Sequence, residues 1–283
     1  MADSSTPPHI LSRPELLGLL EWYAESGVDI ALDEAAHDRF GEPEAPPPPL
    51  VRQPAKAPPP PQPISAPMRP AAMPVPPSGD TAREAREIAR AAQTLDELRD
   101  ALGRFEGCNL RLTASQLVFA DGTPGSRLML IGEAPGREED IQGLPFVGRS
   151  GQLLDRMLAA IGLDRAKVYI ANVVPWRPPG NRTPTPQETA VCRPFLERQI
   201  ELSNPDMLVC LGAAAAKELM ATAEGILRIR GQWRYYDLGT RKIRIMATLH
   251  PAYLLRQPLQ KRLAWRDFLA IRAALDAPAE TST

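Results

Sequence analysis

Sixteen of the chain's 32 prolines fall between residues 43 and 77, including the runs Pro46 to Pro49 and Pro58 to Pro61. Proline fixes φ and carries no backbone N–H, so a segment this dense in it supplies neither a helix nor an interior strand. Residues 43–79 are therefore expected to form an extended, polyproline-II-like linker. It is either a plain solvated tether or a docking site for a Pro-binding module. Upstream, residues 1–42 carry helical apolar spacing over residues 14–26 (PELLGLLEWYAES) and a less regular helical stretch over 33–39. Downstream, residues 80–277 have the texture of a globular domain, and 278–283 form a short tail.

This division changes the meaning of the charge. The formal net charge of −1 conceals a split: residues 1–80 hold 5 Lys and Arg against 11 Asp and Glu, and residues 81–283 hold 28 against 23. The C-terminal part is modestly basic, which suits an anionic partner without requiring one. An apolar content of 43% is enough for a core, and 283 residues accommodate one large domain or two small ones. No apolar run is long enough to span a bilayer. The N-terminal MADSSTPPHILSRPELL lacks the basic start and unbroken apolar stretch of a secretory signal. Three widely spaced cysteines, Cys108, Cys192 and Cys210, argue against a disulfide framework. Together these features predict a soluble, cytoplasmic protein with no membrane partner.

Within the globular part, residues 81–92 show a helical pattern, and Thr94-x-x-Glu97 is a capping box expected to open a second helix ending near Arg104. Beyond Cys108, strand-like apolar runs at 127–131, 168–174, 206–211 and 242–248 alternate with helical patterns at 148–161, 186–203, 213–220 and 262–275. The alternation predicts an α/β fold, a three-layer α/β/α sandwich around a central four-stranded, mostly parallel sheet. Ligands in such folds sit at the carboxyl ends of the strands.

The unusual residues cluster at those ends. The first strand runs into Gly132-Glu133-Ala134-Pro135-Gly136, a Gly-rich turn that either brings backbone N–H groups to a ligand or simply joins strand to helix. It has neither the Lys-Ser/Thr of a Walker loop nor the G-x-G-x-x-G of a dinucleotide fold. Phe146, between Pro145 and Gly148, is either a core plug or a face on which a flat base stacks, worth about 1–3 kcal/mol per base. Asn172 ends the second strand inside an apolar run. A buried amide must find hydrogen-bond partners, either in a neighbouring loop or on a base edge that needs both a donor and an acceptor. The Arg177-Pro178-Pro179-Gly180-Asn181-Arg182 turn is a phosphate cradle or a solvated loop. Of three histidines only His250 ends a core strand, where it is structural or catalytic.

Taken in this order, GEAPGREEDIQGLPFVG, YIANVVPWRPPGNR and LHPAYLL resemble the three motifs of a family 4 uracil-DNA glycosylase, over roughly residues 105–272. The resemblance implies a four-stranded parallel sheet between helices and a DNA-repair enzyme that flips uracil from DNA and cuts its N-glycosidic bond. It implies that Phe146 stacks on the flipped base, that Asn172 reads its Watson–Crick edge, and that Glu139 and the backbone of the Gly132–Glu133 turn line the base pocket. His250 would donate a hydrogen bond toward uracil O2 as negative charge builds on the leaving base. Asn181, Arg182 and Arg256 would lie near the DNA backbone. The wider superfamily often has an aspartate where this chain has Ala134, which leaves Glu133 as the nearest candidate to orient the water. Uracil-containing DNA is the implied partner, and residues 1–42 are a candidate docking segment for a repair or replication protein.

The chain departs from this family at one place. Family 4 members usually hold a [4Fe-4S] cluster on four cysteines, the first two spaced C-x-x-C. Here Cys108 and Cys192 match two ligand positions, but Phe105 and Trp176 occupy the other two. Two thiolates fall short of the four-cysteine set such a cluster needs, so no cofactor and no metal are expected, with Phe105 and Trp176 packing into the space. Cys210 falls mid-strand, as a small apolar residue. Other readings kept open are a glycosylase for another deaminated or oxidised base, a non-catalytic damaged-DNA binder of the same fold, and a hydrolase of free nucleosides or nucleotides.

Overall fold

Leu128, Met129, Leu130, Ile131 and Gly132 are all buried, as are the strand residues 169–172 and 207–211. Strands apolar on both faces have no face to turn to water, so they must lie inside a sheet covered on both sides. The structure is a computed structural model that describes residues 79–277. The helices expected at 14–26 and 33–39, the Pro-rich linker and the tail at 278–283 lie outside the described residues.

The strands are β1 (Asp121–Gly122), β2 (Leu128–Gly132), β3 (Tyr169–Asn172), β4 (Met207–Leu211), β5 (Trp233–Asp237) and β6 (Lys242–Thr248). They form one sheet in the order β1-β3-β2-β4-β6-β5. The four strands expected from the sequence are its parallel centre, β3-β2-β4-β6. The sheet is nevertheless six-stranded and mixed, because β1 and β5 add antiparallel edges. Antiparallel edge strands on a parallel centre are common where a short return of the chain covers an open edge.

The helices are α1 (Gly79–Ala91), α2 (Leu95–Arg104), α3 (Arg137–Gln142), α4 (Arg149–Ala159), α5 (Pro186–Ser203), α6 (Ala213–Met220), α7 (Ile226–Ile229), α8 (Pro251–Arg256) and α9 (Lys261–Asp276). The α2 cap forms as expected on one side: Thr94 Oγ1 accepts from Glu97 N–H at 3.1 Å, and Glu97 in turn accepts from Gln93 N–H at 2.7 Å. Alternation along the strands splits the core in two. Met129, Ile131, Leu208, Cys210 and Ile245 face a layer built from α1, α2, α5 and α6. Leu128, Leu130, Val209, Leu211 and Met246 face α4 and α9. No helix among the described residues is long and apolar enough to cross a membrane.

One polar cluster is built into this apolar frame. Asp267 of α9, almost wholly buried, accepts from Thr248 Oγ1 at 2.6 Å at the end of β6 and from Arg230 Nε at 3.0 Å. Arg230 also donates from Nη2 to the Leu263 carbonyl at 2.5 Å. Removing one member of a buried pair strands the other charge. Asp267→Ala should therefore lower the unfolding free energy by about 3–5 kcal/mol, read from urea denaturation; a loss under about 1 kcal/mol would mean that water reaches Arg230.

Candidate active site

The four central strands end at the same rim, and each contributes a turn to one cavity of about 640 Å³. Glu133 to Gly136 follow β2, Asn172 ends β3, Leu211 to Ala214 follow β4, and His250 follows β6. Strand β2 connects onward to β3 on one side, and β4 to β6 on the other, so a crevice opens where the connections diverge. Of the residues singled out in the sequence, Glu133, Glu139, Phe146, Asn172, Asn181, Arg182, His250 and Arg256 all line this cavity.

Gly132 lies just behind it. Its register partner is Asn172, and a Cβ at position 132 would collide with the Asn172 side-chain oxygen and come within 2.6 Å of Phe146 Cζ. Glycine here lets the amide and the ring approach each other. The Asn172 side chain is 6% exposed and takes no hydrogen-bond partner among the described residues. A buried amide without a protein partner, opening on a cavity, is available to a ligand.

Phe146 lies at the boundary between core and cavity. Its side chain belongs to the core layer shared with α4 and α9, and it also lines the cavity with its ring centroid 5.6 Å from that of His250. Its backbone is left-handed, φ +55°, a region that costs a bulky residue about 1–3 kcal/mol.

His250 caps α8: its Nδ1 accepts from Ala252 N–H at 3.0 Å. The proton of the neutral ring is therefore on Nε2. Burial, aided by the nearby Arg256 charge and opposed by Glu139, pulls the imidazole down to about 4. The ring is a neutral N–H donor at physiological pH. Glu133 shows the opposite displacement. Burial pushes its carboxyl above the usual carboxylate range, and the Thr183 hydroxyl offsets this only in part. Its Oε1 is buried with no hydrogen-bond partner among the described residues.

Glu139 is committed to the backbone. Oε2 accepts from Gly136 N–H at 3.1 Å, and Oε1 accepts from Val147 N–H and Gly148 N–H, both at 3.0 Å. It lines the cavity as a strut between the Gly136 turn and the Phe146 loop. Arg182 is likewise engaged, donating to both Glu188 oxygens at 2.9 and 2.7 Å, and Asn181 Oδ1 accepts from Arg177 Nε at 2.7 Å. Arg256 is exposed and makes no ion pair among the described residues. Nothing in the sequence marked Thr183, Ser150 or the Gly212–Ala214 turn, which also line the cavity. The turn after β4 was accessible in principle, since every parallel strand of such a sheet ends at the ligand rim.

Cys108 and Cys192 lie elsewhere. Their sulfurs are 3.9 Å apart, buried in the core layer that also holds Phe105 and Trp176, and Phe105 packs on Phe195 with ring centroids 5.1 Å apart. The hydrogen bond with Cys108, together with burial, pushes the Cys192 thiol well above its ordinary range. Two thiols among aromatic rings do not fit a four-thiolate cluster, and no group of three or more potential metal ligands forms among the described residues.

Comparison with known proteins agrees with this architecture. The family model of the Uracil DNA glycosylase superfamily matches residues 119–269. A type-4 uracil-DNA glycosylase from Archaeoglobus fulgidus is 38% identical over 183 residues, covering 63% of this chain and 92% of that protein. One from Thermotoga maritima is 42% identical over 168 residues, covering 58% of this chain and 84% of that protein. The chain belongs to the uracil-DNA glycosylase superfamily and, within it, to the type-4 uracil-DNA glycosylases.

Proposed function

We propose that this protein is a monofunctional uracil-DNA glycosylase, which hydrolyses the N-glycosidic bond of uracil in DNA during base-excision repair and leaves an abasic site. The observation that carries the reading is the convergence of three groups on one cavity: the unpartnered Asn172 amide, the Phe146 ring and the neutral His250. A flat base with donor and acceptor edges is the ligand that uses all three. Family membership narrows that base to uracil.

In this reading the uracil leaves the duplex and stacks on Phe146, which offsets part of the few kcal/mol lost in flipping. Asn172 bonds the base edge. As the bond from C1′ to N1 lengthens, positive charge grows on the sugar and negative charge on the base. His250 Nε2–H donates toward O2 and stabilises the anion without giving up its proton. The Glu133 carboxylate, its unpartnered oxygen inside the site, orients the water whose hydroxyl ends on C1′, and the released proton balances the charge of the departing uracil. Arg256, without an ion pair among the described residues, is the cation best placed for a phosphate; Asn181 and Arg182 contribute turn shape, since Arg177 and Glu188 occupy their side chains. The chain works without a cluster, a reading supported by Phe105 and Trp176 at the two remaining ligand positions. Residues 1–42 serve as a docking segment for a repair or replication partner at the end of the 43–79 linker. A cytoplasmic location accords with this work.

Incubation with an end-labelled oligonucleotide carrying one uracil, followed by alkali, should give a single cut. The full chain and a form lacking residues 1–77 should cut it at equal rates, since the residues that line the cavity all fall between 133 and 256. Single-turnover rates should fall about 10²–10³-fold in His250→Ala and about 10- to 100-fold in Asn172→Ala. Folded protein that binds this DNA and leaves it uncut would move the assignment to another damaged base.

The pH profile separates the two titrating groups. Glu133 must be ionised, and its raised pKa means that activity falls as pH drops through a value above the ordinary carboxylate range. His250, at about 4, stays neutral through that fall. Glu133→Gln should lower the plateau and abolish the acid limb; an unchanged limb in that variant would assign it to another group. Finally, protein purified without oxygen should show no visible iron–sulfur absorbance, and a brown preparation would contradict the cluster-free reading.

A further inference from the structure

Arg165 takes no part in the chemistry above, yet four acceptors converge on its guanidinium. Nε donates to Asp155 Oδ1 at 2.8 Å, and Nη1 donates to Asp121 Oδ2 at 2.5 Å and to the Pro145 carbonyl at 3.1 Å. Nη2 donates to the Phe146 carbonyl. Asp121 comes from β1, Asp155 from α4, and Arg165 itself from the short 3-10 turn Arg165–Lys167 that leads into β3. Two carboxylates thus orient the fork, and its remaining donors hold the loop that ends in Phe146. A planar guanidinium with five fixed donors suits such a task; an ammonium cannot reach all four acceptors at once.

Phe146 has reason to be held. A bulky residue at φ +55° departs from its preferred backbone region. On the opposite side its carbonyl lies against Gly151 of α4, where any Cβ would fall on the Phe146 oxygen. The carbonyl is therefore seated between a residue that must lack a side chain and one that grips it. Arg165 is mostly buried, with 25% of its side chain exposed, and two carboxylates accompany its charge. That environment is unsuited to a phosphate contact.

We propose that Arg165 is a positioning residue that locks Phe146 in its left-handed conformation, so that a flipped base finds its stacking platform already in place. The inference rests on the glycosylase reading, because it gives the platform its purpose. A ring released from this hold relaxes toward an ordinary backbone region, and the base must then order it again at each encounter.

The test is a mutant cycle read in single-turnover excision of uracil, with Arg165→Lys, Phe146→Ala and the double variant. Lysine keeps the charge but not the fork. Arg165→Lys should slow excision by about tenfold or more, as expected for a displaced contact group, and leave affinity for undamaged duplex within about twofold of the wild type. A 2-aminopurine beside the uracil should report a smaller flipped fraction. In the Phe146→Ala background the same change should cost nothing further, because the platform is already absent. Excision at the wild-type rate by Arg165→Lys would overturn the proposal. So would an equal fold-loss in both backgrounds, which marks a general structural role. Should Arg165→Lys fail to fold, Asp155→Asn keeps the arginine, removes one support and is judged by the same criterion. Wild-type protein that excises no uracil would instead sink the glycosylase reading, and the platform's purpose with it.

Discussion

Four parallel strands buried on both faces leave almost no place for a polar group except where they end. Asn172 closes β3 and Thr248 closes β6, while the residues of β2 and β4 are apolar and buried throughout. The ladder then sets the spacing of the rim. Gly132 pairs with Asn172, and Leu211 with Thr248, so the turns after β2, β3, β4 and β6 start at matched heights. Chemistry is confined to that rim because a dry sheet excludes it elsewhere. The Asp267 cluster shows the exception that the constraint permits: a polar group beneath the rim, with its oxygens engaged by Arg230 and Thr248.

What the sequence made legible follows from the same constraint. Doubly buried strands of five residues or so announce themselves as apolar runs, and the residues at or just past their ends include Glu133, Asn172 and His250. The edges were hidden for physical reasons. Strand β1 is two residues long, and β5 mixes half-exposed Trp233 and exposed Tyr235 with buried Tyr236, so neither gives a continuous signal. Helix α3 has six residues, too few for a period to show. Arg182 was expected near the DNA backbone from a motif, which records identity and not company. Yet Thr185-x-x-Glu188 is itself a capping box, and the same Glu188 neutralises the arginine. Arg165 was illegible, since its partner Asp121 is 44 residues away and only the folded sheet edge brings them together.

The layer opposite α4 and α9 carries a different lesson. Phe105, Trp176, Cys108 and Cys192 share one core with the inner residues of β2, β3 and β4. A metal cluster contributes to folding through strong, directional bonds, and packed aromatic rings contribute through contact area. The catalytic rim need not register that difference, because the sheet stands between the rim-lining Phe146 side and the thiols.

Glu139 ties the Gly136 turn to residues 147 and 148 through three backbone N–H groups, closing the loop that carries Phe146 into a ring of hydrogen bonds. A receptor closed in this way has little shape left to change on binding. With uracil in DNA as its substrate, nearly all of the rearrangement falls to the nucleic acid, and the barrier to engagement is the cost of extracting the nucleotide. That cost depends on how weakly a base is held by its neighbours as well as on what the base is. In a duplex, a uracil left opposite guanine by deamination of cytosine is held less well than one opposite adenine, and the cost of extracting it is correspondingly lower.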